Sequence, residues 1–170
     1  MFVAKLDGGV DYRRRALEQA ELYYHPLGEA AEESLMSSFR RLSPELGQPN
    51  QKLDIEGRQI AARFVADDVA WFDFGELCDG PRSQYDYIEL AKVFHAVVLS
   101  GVPQMGAGRD DQARRFINLI DEFYDRNVKL VVSAEVALPE LYSGGRLEFE
   151  FERTRSRLLE MQSEEYLGRE

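Results

Sequence analysis

The chain has 170 residues, of which 44% are hydrophobic, and a formal net charge of −10. This is the composition of a globular protein with one domain and at most an appended lobe. The acidic excess argues against a general nucleic-acid surface, because binding phosphates needs a basic stripe. The single cysteine, Cys78, excludes an internal disulfide and a cysteine-cluster metal site. No apolar run reaches membrane-spanning length and no signal-peptide layout is present, so the sequence predicts a cytoplasmic protein without a transmembrane segment.

The first 42 residues predict a truncated strand followed by a small helical lobe. Apolar residues within positions 2–6 suggest a strand already under way, and hence a piece cut from a longer protein. A helix is predicted to begin at the arginines 13–15 and to end before Pro26. Its apolar face consists of Ala16, Leu17, Ala20, Tyr23 and Tyr24. A second helix is predicted over Glu29–Leu42. Its inward face consists of Ala31, Leu35, Phe39 and Leu42.

Residues 43–52 carry two prolines and a glycine but no apolar pattern, so they predict a linker to an α/β domain over residues 53–170. Apolar residues then alternate on both sides of Gly57, which is the signature of a β-hairpin. A third strand is predicted over Val69–Phe74 and a helix over Asp86–Phe94.

The central stretch predicts a strand, a helix and a second strand. Ala96–Leu99 and Val128–Val132 are short apolar runs rich in β-branched residues. Between them, Asp110 and Asp111 are placed to cap a helix, and Asn127 is placed to stop it. The apolar residues at helical spacing are Ala113, Phe116, Ile117, Ile120, Phe123 and Tyr124. Such a crossover implies parallel strands. The predicted fold class is therefore α/β, with a mixed sheet, this crossover, the hairpin and the N-terminal helical lobe.

The last segment predicts a strand and a closing helix. Leu147, Phe149 and Phe151 alternate, which is typical of a strand, and Glu152–Leu167 has a helical pattern. The inward side of that helix is predicted to carry Leu158, Leu159 and Tyr166, together with Arg155 and Gln162.

Several catalytic motifs are absent from the sequence. No Gly-Lys pair occurs, so there is no phosphate-binding loop of the form GxxxxGK[ST], and GxSxG and HExxH are also missing. The two histidines, His25 and His95, are best interpreted as surface or packing residues. The triplet Ile120-Asp121-Glu122 is similar to the acidic site of ATPases, but it falls inside a helix, where Glu122 can pair with Arg126. The sequence therefore predicts no metal site and no catalytic residue in this chain.

Two arginine groups are candidate anion-binding residues. Arg153 and Arg157 lie one turn apart on the closing helix and suit a phosphate or a partner's carboxylate, because each guanidinium can bond bidentately. The alternative is a set of intrahelical and surface salt bridges. Arg13, Arg14 and Arg15 occupy a helix's first turn, where the macrodipole disfavours cations. They indicate either an anion contact or a solvated basic cluster.

Ser133 follows the predicted strand Leu130–Val132, at a position where nucleotide-binding sheets often place a polar sensor. Many serines at such positions simply terminate the strand. From pattern alone, the chain is a mixed α/β domain without a self-sufficient active site.

Four segments of the sequence resemble the C-terminal half of the ZapE family, the AFG-type P-loop ATPases of the AAA-related class. They are LDGGVDYRRRALEQA (6–20), WFDFGELCDGPRSQYDYIELAKVFHAVVLSGVP (71–103), ARRFINLIDEFYDRNVKLVVSAEV (113–136) and FERTRSRLLEMQSEEYL (151–167). The most specific motifs are RSQxDYIxL, RRFIxLxDEFYDRxVKLxxSAE and FERTxSRLxEMQSEEY. The resemblance runs from Leu6 to Leu167.

The resemblance implies ATP and Mg in the full-length protein, held by a phosphate loop and an acidic strand in an N-terminal half that this chain lacks. This chain alone is expected to bind neither. Bacterial members act at the division septum on the tubulin-like division protein, and mitochondrial members act in inner-membrane protein quality control. The expected partners are therefore the P-loop half, such a client and a further copy of the chain. Recruitment to the division site or the inner membrane is implied as well.

Individual residues follow from the motifs. Arg153 and Arg157 match the arginines of FxRTxSRL, and Arg13 and Arg15 match those of DYRxR, which implies nucleotide-sensing or interface roles. The sequence departs from the family at Arg155, where an apolar residue is usual, and at Arg14, where leucine is usual.

The order of strand, helix, strand and arginine-bearing helix also resembles the magnesium strand, sensor strand and arginine finger of AAA-type ATPases. Ser100-Gly101 stands where the acidic pair would be. The resulting hypothesis is a regulatory and interaction half that supplies arginines to a nucleotide site made elsewhere. The alternative is a pure protein–protein interaction module with no contact to nucleotide.

Overall fold

The computed structural model describes Leu17, residues 21–43, Glu45 and residues 47–169. Its centre is a six-stranded mixed sheet. The strands are β1 (Tyr23–Tyr24), β2 (Gln48–Ile55), β3 (Arg58–Ala66), β4 (Val69–Asp73), β5 (Ala96–Val102) and β6 (Lys129–Ala134). Their order across the sheet is β1-β6-β5-β4-β3-β2. The first four strands in that order are parallel, whereas β3 and β2 form an antiparallel hairpin at one side.

Helices cover both faces of the sheet. They are α1 (Glu29–Leu42), α2 (Phe74–Cys78), α3 (Gln84–Val93), α4 (Asp110–Asp125), α5 (Glu148–Glu160) and α6 (Glu164–Leu167), with a 3₁₀ turn at Leu138–Glu140. The core on one face joins α1 to the sheet, and the larger core on the other face joins α2, α3, α4 and α5 to it. This arrangement confirms the predicted α/β class and the mixed sheet.

The central strands are buried on both faces because side chains alternate along a strand. In β5, Val97 and Leu99 lie in the core shared with α4, while Ala96 and Val98 lie in the core shared with α1. All four side chains are fully buried. A continuous apolar run is therefore what this position in the fold requires.

The predicted hairpin is confirmed and is longer than the apolar alternation indicated. Ile55 pairs with Arg58, so Glu56 and Gly57 form a two-residue loop. Both loop residues have positive φ, 52° and 75°. Such angles match the twist of the flanking strands, and glycine adopts them without strain.

The central crossover is also confirmed, with β5 and β6 parallel and α4 between them. Asp110 and Asp111 lie in the first turn of α4 instead of capping it, since the N-cap residue is Arg109. Their charges still interact favourably with the positive end of the helix dipole. The backbone of Asn127 has a φ of 60°, which ends the helix as predicted.

The predicted strand through Leu147, Phe149 and Phe151 is wrong. Glu148–Glu160 is helical, with Leu147 as its N-cap. Leu147 and Phe151 are buried, whereas Phe149 is 88% exposed. Leu147 and Phe151 are four residues apart, a spacing that fits a helix as well as a strand, so a short alternation did not distinguish the two.

Two further helix predictions need correction. The closing helix is not continuous, because α5 ends at Glu160 and α6 begins after Ser163, whose side chain accepts a hydrogen bond from the Tyr166 amide. Leu159, predicted to face inward, is 61% exposed, although Leu158 and Tyr166 are buried as predicted.

Near the N-terminus of the described chain, Tyr23–Tyr24 is a strand and not the end of a helix. It pairs with β6 and forms an outer strand of the sheet. Of the predicted helix before it, the structure describes Leu17, which is helical and buried. The predicted strand at 2–6 lies outside the described residues.

The second predicted helix, Glu29–Leu42, is confirmed with its four inward residues buried. It packs directly on the sheet near Trp71. The second half of the predicted linker belongs to β2, which begins at Gln48. The division into a lobe at 1–42, a linker and a domain at 53–170 stays a prediction.

Candidate functional site

The carboxyl ends of β4, β5 and β6 meet at one margin of the sheet, where ligands bind in many α/β proteins. Ser133 lies there, inside β6, and is buried. Its hydroxyl oxygen accepts a hydrogen bond from the Gly101 amide at 3.0 Å. Gly101 has a φ of +83° at a register irregularity in β5, a conformation that favours glycine. The predicted sensor residue therefore holds an irregular piece of backbone.

A network of side chains occupies the same margin, and we call Glu32, Arg63, Trp71, Asp73 and Ser100 the carboxyl-edge network. The Ser100 hydroxyl accepts from the Trp71 indole at 3.1 Å and lies 2.8 Å from an Asp73 carboxylate oxygen, to which it donates.

Arg63 completes the carboxyl-edge network. It lies 2.7 Å from Asp73, bonds Glu32 of α1, and its guanidinium carbon is 5.0 Å from the centre of the Trp71 ring. Burial acts to lower the pKa of Arg63, but the hydrogen bonds to Asp73 and Glu32 outweigh it and raise the pKa. Both carboxylates are therefore paired with one guanidinium.

Arg153 and Arg157 lie on α5 and contact the neighbouring helix α4. Both form ion pairs with Asp121, Arg153 at 3.0 Å. The Arg157 guanidinium also lies 4.8 Å from the centre of the Tyr124 ring. Asp121 is inside α4 as predicted, and Glu122 pairs with Arg126 as predicted. The salt-bridge alternative from the sequence is thus present, as bonds between two helices.

A second cluster surrounds Lys129 at the opposite end of β6, and we call Tyr124, Lys129, Glu160, Tyr166 and Arg169 the tail cluster. Lys129 is 1% exposed. Its ammonium donates to the carbonyl oxygens of Tyr166 at 3.0 Å and Arg169 at 2.7 Å, and it lies 4.6 Å from the Tyr166 ring centre. The Tyr124 and Tyr166 rings stack at 5.8 Å.

Among the described residues, the Lys129 ammonium donates to these carbonyl oxygens and to no carboxylate. Burial, and secondarily the charge of Arg169, lowers the pKa of Lys129 to about 8. Sequence reasoning did not single out this residue. A lysine at the start of an otherwise apolar strand was the available signal, because a fully buried lysine is rare unless its ammonium is satisfied.

The motif RSQxDY has a structural role at the start of α3. The Asp86 carboxylate is buried and accepts hydrogen bonds from the Ser83 amide and from Arg58, each at 2.7 Å. Arg82 donates to the Glu76 carbonyl at 2.9 Å, and the Tyr87 hydroxyl donates to the Leu77 carbonyl at 2.6 Å. These bonds join α2, α3 and β3.

The structure does not bring the predicted site residues together. Ser133 contacts Gly101 within the sheet, whereas Arg153 and Arg157 contact Asp121 on the helical layer. Arg13 and Arg15 lie outside the described residues. Within the described part of the chain, no cluster of three or more His, Cys, Asp or Glu side chains is arranged to hold a metal ion. No helix in that part is both long and apolar enough to cross a membrane.

Comparison with known proteins decides the family. Residues 1–170 match the family model described as AFG1-like ATPase. The chain belongs to the AFG1-like ATPase family. This confirms the resemblance found in the sequence.

Among AFG1-like relatives, cell division protein ZapE of Escherichia coli K12 is 48% identical over 168 residues, which is 99% of this chain and 45% of that protein. Lactation elevated protein 1 homolog B of Danio rerio is 32% identical, across 96% of this chain and 40% of its own length. An uncharacterised protein of Schizosaccharomyces pombe is 33% identical, across 81% and 31%. The chain therefore spans less than half the length of these relatives. No solved structure matches it.

Proposed function

We propose that this chain is the C-terminal, regulatory and interaction half of an ATP-hydrolysing protein of the AFG1-like family, and that it lacks the phosphate-binding loop. The observation that carries this proposal is the pairing of both carboxylates of the carboxyl-edge network with Arg63. In a nucleotide-binding sheet this margin offers backbone amides and a metal-binding carboxylate to the ligand. Here Asp73 is bonded to Arg63 and Ser100, and Ser133 is bonded to Gly101.

The described residues do not fit Mg-ATP. The sequence contains no Gly-Lys pair to contact phosphates, and the carboxylates at the sheet margin are already paired with Arg63. We therefore propose that ATP and Mg bind in the other half of the full-length protein. Equilibrium dialysis of the isolated chain against ATP and Mg is expected to detect no binding. Binding in the micromolar range would overturn the proposal.

Within this function, Arg153 and Arg157 act at the nucleotide site or at a subunit interface. A guanidinium has five N–H donors, and Asp121 uses only part of this capacity on each arginine. The Arg153 side chain is 53% exposed, so its remaining donors face outward. Asp121 holds the two groups side by side, which suits a phosphate or a carboxylate.

The second candidate is an interaction module that binds a client, such as the tubulin-like division protein or a membrane protein, without approaching nucleotide. The pairing of both arginines with Asp121 favours it, because these bonds supply a structural reason for the arginines. The name of the Escherichia coli relative, a cell division protein, points to a client in division.

The two candidates are separated by Arg153→Ala/Arg157→Ala in a full-length family member that carries this half. Under the proposal, ATP hydrolysis falls at least tenfold and client binding stays within twofold. Arg146→Ala is the matched control. The Arg146 side chain is 83% exposed, and its ion pair with Asp110 is long, at 3.6 Å, so removing it is expected to have little effect on the fold. Unchanged hydrolysis with lost client binding would instead establish the interaction module. Circular dichroism of each variant checks that the fold is intact.

A further inference from the structure

Helix α5 has an outward face with an exposed aromatic side chain. Phe149 is 88% exposed, more than any other large hydrophobic side chain in the described part of the chain. On the opposite side of the helix, Phe151 is fully buried and stacks 4.9 Å from Tyr142. The helix is thus anchored by one phenylalanine and presents the other to its surroundings.

Phe149 is the first residue of an exposed line along α5. Phe149, Glu152, Ser156 and Leu159 are all exposed and follow the spacing i, i+3, i+7 and i+10. This spacing keeps them on one side of a helix, over a length of about 15 Å. We call these four residues the outer stripe. Its two ends are apolar, since Leu159 is 61% exposed.

Charged side chains of both signs lie beside Phe149. Glu148 is exposed, the Glu152 side chain is 69% exposed, and the Arg153 side chain, one turn further along the helix, is 53% exposed. An exposed aromatic ring of this kind is a common anchor of protein interfaces, and charges at the rim of an interface select the partner. The partner surface that fits has an apolar pocket for Phe149, a basic group facing Glu152 and an acidic group facing Arg153.

We infer that the outer stripe is the surface on which the phosphate-loop half of the same protein docks. This inference rests on the proposed function. The aligned part covers 45% of the Escherichia coli relative, so more than half of that protein lies outside the aligned region and has to be packed somewhere. The opposite side of α5 is already buried against the core, which leaves the outer stripe as the side of this helix open to a further domain.

Cysteine labelling tests the inference without measuring turnover. Cys78 is fully buried, and burial raises the pKa of its thiol, so it reacts slowly. A Ser156→Cys variant, which keeps Phe149 in place, is prepared in this chain and in the full-length protein, and the rate of maleimide labelling at that site is followed by peptide mass spectrometry. Tyr85→Cys is the matched control, on α3, where the native side chain is 62% exposed.

If the phosphate-loop half docks here, labelling at position 156 is at least tenfold slower in the full-length protein, while labelling at position 85 changes less than twofold. Adding Glu152→Lys to Ser156→Cys is expected to restore fast labelling in the full-length protein, because it places a cation against the basic group of the partner surface. Equal rates at position 156 in both proteins would overturn the inference. Slow labelling in this chain alone would also overturn it, because the site would then be protected without the other half. Protection that increases with protein concentration would overturn it as well, because it would indicate that a second copy of the chain covers the site. Failure of the proposed function appears separately, in ATP hydrolysis.

Discussion

The carboxyl-edge network and the tail cluster lie at opposite ends of the parallel part of the sheet, on different strands, and they satisfy charge in different ways. In the network, Arg63 bonds two carboxylates and lies over Trp71. In the tail cluster, the buried ammonium of Lys129 donates to two carbonyl oxygens and lies over an aromatic ring. The Arg63 guanidinium keeps its charge at any ordinary pH, whereas burial lowers the pKa of the Lys129 ammonium to about 8. Lys129 is therefore expected to make stability depend on pH above neutrality.

The largest effect is expected from Tyr166→Ala in the tail cluster. This ring is fully buried, stacks on Tyr124, and its hydroxyl lies 2.7 Å from the Val128 carbonyl oxygen. Truncation leaves a cavity and is expected to lower the free energy of unfolding by about 3 to 5 kcal/mol. Urea denaturation measures it. Tyr166→Phe keeps the ring and removes the hydroxyl, so a loss of about 1 to 2 kcal/mol is expected. Equal losses for the two variants would contradict this account of the ring.

A smaller, pH-dependent effect is expected from Lys129→Met. The pKa of Lys129 is about 8 in the folded protein and 10.5 when unperturbed, so between these values the unfolded chain binds more protons. Stability of the wild type therefore rises with pH in this window, by up to about 1.4 kcal/mol per unit. The methionine variant lacks this rise.

The measurement is urea denaturation of both proteins from pH 7 to 9.5. Raised tyrosine pKa values, such as that of Tyr166, which burial shifts upward, affect both proteins alike and cancel in the difference. At pH 7 the variant is expected to be as stable as the wild type within about 1 kcal/mol, because replacing a buried charge by an apolar side chain is often neutral. Parallel pH curves for the two proteins would show that Lys129 does not titrate in this range.

The smallest effect is expected from Ser133→Ala at the sheet margin. The substitution removes the acceptor of the Gly101 amide, and the expected loss of stability is about 1 to 2 kcal/mol. Because the hydroxyl oxygen is engaged in that bond, ATP hydrolysis by a full-length protein is expected to change less than twofold. Ser37→Ala, at an exposed position of α1, is the control for both measurements. A tenfold loss of hydrolysis with unchanged stability would give Ser133 the sensor role suggested by its sequence position.

Elements specified by a local sequence pattern were predicted correctly, whereas features that depend on contacts between distant residues were not. Helix Glu29–Leu42 and the crossover around α4 were predicted from local periodicity, which the core then stabilises. The strand at Phe149 was wrong because three apolar residues at spacing two do not separate strand from helix, and the buried contacts of Phe151 with Phe116 and Tyr142 select the helix.

The site was predicted less well than the fold, for the same reason. Arg153, Arg157 and Ser133 were identified individually, but their partners Asp121 and Gly101 lie more than 30 positions away in the sequence. Lys129 was missed because its carbonyl partners are 37 and 40 positions away. The contacts of Lys129 form only when α6 packs against the start of β6, so the sequence around Lys129 carries no local pattern that predicts them.

The outer strand of the hairpin has a consequence for self-assembly. In β2, Pro49 lacks an N–H donor and Asn50 has a φ of 55°, and both residues are exposed. The outer strand on the opposite side of the sheet, β1, is only two residues long. In the described part of the chain, neither outer strand therefore offers a long regular edge with which an extended segment of another molecule could pair. Fibril-like growth by strand addition at these described edges is thereby disfavoured.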